Sequence, residues 1–272
     1  LPNQKVNDIS FETLKTFDVA FVCTPNHLHI KQAVLCAKAG CHLFIEKPLS
    51  HNLEGVEELI EICKEKRLIN MVACNMRFHK ALQFIKENKQ SIGRTLGIHL
   101  ECGYYLPYWR KGKDYKRNYA AKKEFGGGII LDDIHEFDLL FWFNNFAPII
   151  ESKFIFGKVS DLEIETEDSC VAGFKFRNNV LGSVRCDYLQ KPYSRAVKII
   201  GELGNLEWDF NQNIVWSRNE QGAQKLFEDK NYDTNEMYVD QLKYFFNCLK
   251  TRQKTFNDIE TAVKVLAPCL NK

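Results

Sequence analysis

The chain has 272 residues, 45% of them hydrophobic, and a formal net charge of +2. That length suits one large domain or two moderate ones, and with no basic block nucleic acid is not an expected partner. No apolar run approaches the ~20 residues of a membrane span, and the opening residues do not read as a secretory signal.

In chain order, the first half alternates strand and helix. Asp18–Cys23 is an apolar strand that ends in Thr24-Pro25-Asn26-His27-Leu28-His29. A helix is predicted near 27–39, with Ile30, Ala33, Val34 and Ala37 on one stripe and Gly40 as its stop. A second strand, 41–45, runs into Glu46-Lys47-Pro48, and a helix near 52–66 follows. Leu68–Cys74 is a third strand, succeeded by Asn75 and Arg77 and by a helix at 78–89. Parallel strands with crossover helices are the economical arrangement.

The second half changes character. Strand-like runs occur at 98–105, 150–156, 169–176, 180–188, 196–200 and 204–210, with a hairpin turn at Asn178-Asn179. Only 128–143 and 235–250 read as firmly helical there. The expected fold is α/β: a partial doubly wound, Rossmann-like parallel sheet over 1–92. An α+β domain with a large open, mostly antiparallel sheet follows over 93–272.

Ten cysteines include no C-x-x-C pair. Cys23, Cys36, Cys63, Cys74 and Cys248 fall in apolar periodic stretches and are expected to be buried, reduced thiols, which points to the cytoplasm. Metal ligation or a stray disulfide is the other reading.

In an open α/β sheet, ligands gather beyond the carboxyl ends of the strands. Thr24, Pro25, Asn26, Glu46, Lys47, Asn75 and Arg77 all follow strands of one sheet and would face one rim. Gly126-Gly127-Gly128 precedes a helix that carries Asp132, His135 and Asp138 on a polar stripe, with Ile130 and Phe137 opposite. A histidine flanked by carboxylates suits a general base. Metal is the rival reading of Asp132, Asp133, His135 and Asp138, but the spacing matches no zinc motif, and no metal is expected. The aromatic and cationic run 108–119 is expected to be a substrate-facing loop.

The order T-P-N-H-x-H, E-K-P-L, N-x-R-F, W-R and G-G-G-x-x-x-D-x-x-H-E-x-D resembles the glucose–fructose oxidoreductase/inositol dehydrogenase (Gfo/Idh/MocA) family over nearly the whole chain. The resemblance implies an NAD(P)-dependent oxidoreductase acting on a hydroxyl of a sugar or sugar derivative. Lys47, His135 and Asp132 would be catalytic. Thr24, Pro25, Asn26, His29, Glu46, Lys47, Asn75, Trp109 and Arg110 would hold NAD or NADP. Arg77, Tyr108, Arg110, Tyr115 and His135 would meet the substrate. The D-x-x-H-E form is similar to a subgroup met near surface-polysaccharide biosynthesis, and a homodimer or homotetramer through the antiparallel sheet is implied.

No G-x-G-x-x-G occurs, and the chain opens on Leu1. Of the strand order 3-2-1-4-5-6 it is expected to hold the 4-5-6 half. It would then be a fragment of a longer protein, a natural truncation, or a chain whose exposed strand a partner covers. Weak NAD(P) binding by the chain as given is expected, and a non-catalytic remnant that binds a sugar or a partner is the alternative function.

Overall fold

The computed structural model describes residues 10–272. The first nine residues of the 1–92 unit lie outside the described residues. A short helix α1 (Phe11–Leu14) leads into β1 (Val19–Val22), α2 (His29–Ala39), β2 (His42–Glu46), α3 (Val56–Glu65), β3 (Asn70–Ala73) and α4 (Lys80–Asn88). The three strands form one parallel sheet in the order β1-β2-β3. The runs of β2 and β3 are apolar without alternation because both faces are covered, whereas β1 at the end of the sheet leaves Phe21 46% exposed. Leu43 and Ile45 of β2 pack with α2, α3 and the last helix, while Phe44 between them joins the main core. Gly40 ends α2 at φ +98, a left-handed position that glycine takes without strain.

The second part begins with β4 (Thr95–Gly103), then α5 (Leu106–Trp109), α6 (Ile129–Asp132) and α7 (Ile134–Phe143). Seven strands follow: β5 (Ile149–Gly157), β6 (Ser169–Phe176), β7 (Leu181–Asp187), β8 (Ser194–Gly201), β9 (Gly204–Asp209), β10 (Ile214–Asn219) and β11 (Gly222–Glu228). Two helices close the chain, α8 (Asn235–Thr251) and α9 (Ile259–Leu270).

The large sheet has the order β11-β10-β9-β8-β4-β7-β6-β5. All neighbours are antiparallel except β4 and β7, which run parallel. One face is buried under α7: Cys170, Ala172, Phe174 and Phe176 of β6 alternate inward, and Phe137, Leu140 and Phe141 meet them. Asn179 takes φ +61 in the turn expected at Asn178-Asn179.

The structure corrects three readings. The helix expected over 128–143 is broken at Asp133. Its supposed polar stripe is interior: Asp132, His135 and Asp138 are all buried. Cys23, expected inside, is exposed, whereas the other nine cysteines are buried and all ten are free. Besides the one-turn helices α1 and α5, three elements went unread. β10 and β11 form a largely solvated edge hairpin without apolar alternation. α9 carries Ile259, Ala262, Val265, Leu266 and Cys269 on its buried side behind an Asp258 cap, and Pro268 near its end masks the pattern.

Candidate functional site

The carboxyl ends of β1, β2 and β3 open onto a cavity of 720 Å³. Thr24, Pro25 and Asn26 line it after β1, Glu46 and Lys47 at the end of β2, and Asn75 after β3. Trp109, Arg110, Tyr119, Asp132 and His135 close it from the second part of the chain. Lys47, Asn75, Trp109, Arg110 and His135 thus share one space, although they come from separate elements.

The break at Asp133 has a direct use. In a continuous helix the Asp132 carbonyl would accept from the Glu136 N–H. Here the Glu136 N–H donates to the Asp133 carbonyl at 3.1 Å, and the backbone turns at Asp133 (φ −96°, ψ 35°). The freed Asp132 carbonyl accepts from the Lys47 ammonium at 2.5 Å, and the Asp132 carboxylate lies 3.5 Å from the same nitrogen.

The triple glycine shapes this approach rather than cradling a phosphate. Gly126 and Gly128 take φ of +75° and +107°, and a Cβ on Gly127 would fall 2.3 Å from the Tyr119 carbonyl. The turn therefore lies flush against 119–120, with the Gly128 N–H donating to the Ala120 carbonyl at 3.0 Å. The Asn26 amide donates to the Gly126 carbonyl at 3.0 Å, so the turn is tied to the strand-end rim.

The electrostatics separate the groups. Burial pushes the Asp132 carboxyl up, but the Lys47 ammonium and hydrogen bonds from Tyr119, Tyr104 and Tyr188 outweigh it and hold it below the ordinary range. Burial, with Lys47 and then Arg195 nearby, pushes the His135 imidazole well below its ordinary value. It is neutral at physiological pH, and its Nδ1 has no hydrogen-bond partner among the described residues. Cys102, Asp133 and Glu136 place ligand-type atoms within 4.8 Å of one another. Arg195 sits among them, its Nε 2.7 Å from Glu136 and its Nη2 3.9 Å from Asp133, so a guanidinium supplies the positive charge there.

Of those two acids, the geometry gives the ion pair to Glu136. Burial first, and the Glu136 charge second, push the Asp133 carboxyl up to about 8. The folded protein then holds one more proton than the unfolded chain between about pH 4 and 8, and stability falls as pH rises through that window. Asp133→Asn removes this loss. Its stability relative to the parent is expected to climb from about pH 5 to about pH 8, by up to ~1.4 kcal/mol per pH unit. Denaturant unfolding at several pH values measures it, and a flat difference defeats the account.

Four residues expected at the site lie elsewhere. Arg77 is fully buried and bonded to Asp138 at 2.8 and 2.6 Å, away from the rim. His29 is fully buried, with ring nitrogens 2.8 Å from the Pro48 carbonyl and 2.7 Å from that of Thr24, and it ties the two strand ends together. Tyr108 is 68% exposed and outside the cavity. Tyr115 lines a neighbouring recess of 540 Å³ that shares Pro25, Arg110 and Tyr119 with the main one. The run 108–119 therefore faces the site only through Trp109, Arg110 and Tyr119.

Two family profiles match the chain in succession. The oxidoreductase family with NAD-binding Rossmann fold covers residues 4–74, and the GFO/IDH/MocA C-terminal domain covers residues 78–207. The chain belongs to the Gfo/Idh/MocA oxidoreductases. Myo-inositol 2-dehydrogenase of Thermotoga maritima is 28% identical over 251 residues, 86% of this chain and 70% of that protein. A 1,5-anhydro-D-fructose reductase of Ensifer adhaerens is 28% identical over 194 residues, 70% of this chain but 56% of its own length. Levoglucosan dehydrogenase solved with NADH superposes with a TM-score of 0.84 at 17% identity, covering 97% of this chain and 81% of that one. The last comparison shows the fold.

In this Gfo/Idh/MocA chain the sequence reading missed Tyr104, Tyr188 and Arg195. Tyr104 and Arg195 line the cavity, and the Tyr104 and Tyr188 hydroxyls bond Asp132. Tyr104 and Tyr188 each follow the end of a strand and Arg195 lies near the start of one, with no local motif.

Proposed function

We propose that this site transfers a hydride between NAD(P) and a secondary hydroxyl of a sugar or related polyhydroxylated ring. The observation that carries the reading is one cavity with a neutral imidazole (His135) and an ammonium (Lys47) anchored on an ionised carboxylate (Asp132). Oxidising a carbinol requires a base for the hydroxyl proton as the hydride leaves. His135, uncharged and without a partner on Nδ1, takes that proton. Lys47 donates to the hydroxyl oxygen and polarises it. A bound nicotinamide supplies the hydride acceptor. Thr24, Pro25, Asn26, Glu46 and Asn75 fit its ribose half. The buried Asn75 Oδ1, unpartnered among the described residues, offers an acceptor to a carboxamide N–H.

The names of the relatives, an inositol dehydrogenase and an anhydro-fructose reductase, support a hydroxylated ring as substrate. The D-x-x-H-E sequence supports a place in surface-polysaccharide metabolism. Nine buried free thiols support a cytoplasmic home. Ile155, Val171 and Leu181, exposed on the large sheet, support a homodimer or homotetramer through that face.

The test is a panel of hexoses, anhydro-sugars, inositols and nucleotide sugars incubated with the protein and NAD+ or NADP+, followed at 340 nm. With cofactor supplied at concentrations that offset the weak binding expected of the chain as given, turnover with at least one ring alcohol is expected. Sugar binding by calorimetry with no hydride transfer to either cofactor would overturn the reading in favour of a binding protein.

A further inference from the structure

We infer that Tyr104, Tyr119 and Tyr188 are positioning residues whose hydroxyls saturate the Asp132 carboxylate, so that Asp132 orients Lys47 and takes no proton itself. The inference rests on the reading of Lys47 and His135 as the reacting pair. A carboxylate offers about four acceptor sites. Oδ2 of Asp132 accepts from the Tyr104 hydroxyl at 2.9 Å and from the Tyr188 hydroxyl at 3.2 Å. Oδ1 accepts from the Tyr119 hydroxyl and faces Lys47 at 3.5 Å. All four sites are engaged, which leaves none for a substrate proton.

The convergence has a topological cause. Tyr104 and Tyr188 each follow the last residue of a strand, and β4 and β7 are paired parallel with Gly103 opposite Asp187. Parallel pairing brings the two ends side by side, where antiparallel pairing would put them at opposite edges. The Tyr104 N–H donates to the Asp187 carbonyl at 3.1 Å and fixes the register. Tyr119 reaches the other oxygen from the turn that Gly127 allows to lie close. Trp109 lies over the Tyr104 ring at 4.3 Å.

Phenylalanine would fill the same volume without a buried hydroxyl that needs a partner. The charged and titratable groups around the carboxylate are Lys47, His135, Asp133 and Glu136 with Arg195, and Arg110 over the Tyr119 ring. Burial above all, and then Asp132 itself, raise all three phenols far above their ordinary range, so they stay protonated donors. Lys47 directs two of its three N–H groups at Asp132 and keeps the third for the cavity.

The test uses Tyr104→Phe, Tyr119→Phe, Tyr188→Phe and the triple variant. Carbon-13 NMR of labelled aspartate carboxyls, with the Asp132 signal identified by its loss in Asp132→Asn, follows ionisation. In the parent, Asp132 is expected to stay ionised down through the ordinary carboxylate range. In each single variant its midpoint rises, and in the triple it rises by at least about one unit. Turnover falls on the order of ten- to a hundredfold in the triple, mainly in kcat, and the acid limb of the pH profile moves up with the NMR midpoint.

If the Asp132 midpoint and the acid limb stay put while only Tm falls, the tyrosines are merely structural and the inference fails. If the triple variant does not fold, the single variants decide by the same NMR criterion. If the midpoint moves but the parent shows no hydride transfer, the cage stands and the proposed reaction fails.

Discussion

Under conditions where NAD(P) is fully bound, Lys47→Ala and His135→Ala are each expected to lower turnover by ~10²–10⁴-fold, equivalent to about 3–5 kcal/mol of barrier. Neither loss is expected to come from unfolding. The His135 Nδ1 makes no hydrogen bond among the described residues, so its removal breaks no network through that nitrogen. Lys47 ends a strand and contacts Asp132 alone through its ammonium, and three tyrosine hydroxyls remain on that carboxylate when it is gone. Kinetics and melting temperature must be measured on the same preparations. Turnover within a few-fold of the parent, or a fall that tracks the unfolded fraction, would remove both residues from the chemistry.

Arg77→Met is expected to act in the opposite way, on the fold and not on the reaction. Arg77 and Asp138 have side-chain exposures of 1% and 2% and share two hydrogen bonds. The guanidinium also donates to the Phe256 carbonyl at 3.3 Å and lies over the Phe146 ring. Removing one partner strands a buried charge, which costs ~3–5 kcal/mol. For a chain of this size that lowers Tm by on the order of 10 °C. Replacing both partners, as Arg77→Met with Asp138→Leu, is expected to recover much of the loss, since a well-packed apolar pair can stand in for buried ions. A single variant that melts within a degree or two of the parent would show that the pair is not sustained in solution.

The two cases show what a linear reading reaches. Continuous apolar runs ending in Pro25 and Pro48 announce the parallel strands, and a polar group after each one announces the rim. Both follow from local chemistry, so both were legible. Arg77 also follows a strand, and by position alone it belongs with Asn75. Its true partner is 61 residues away on a helix that read as half-solvated. Periodicity missed that α7 is covered all round, because a wholly buried helix has no polar face to mark its register. Tyr104 and Tyr188 escaped for a different reason: two isolated residues 84 positions apart, at the ends of different strands, converge only through the parallel pairing of β4 with β7. The turn at Asp133 carries no proline or glycine, so nothing in the sequence marks it; the Lys47 ammonium that takes the released carbonyl arrives from 85 positions upstream.

The parallel join at the centre of the large sheet also sets an order of assembly. β4 ends at Gly103, yet its two neighbours, β7 and β8, begin only at Leu181 and Ser194. During synthesis both flanks of β4 stay open until some eighty further residues have emerged. The hairpins β5–β6–β7 and β8–β9–β10–β11 can zip locally and quickly, whereas the strand between them waits on a long loop closure. Ile98, Leu100 and Cys102, solvent-free in the finished protein, are then the apolar face of an unpaired strand. That is the segment a chaperone would have to shield, and the place where a crowded, half-made chain would stick to its neighbours.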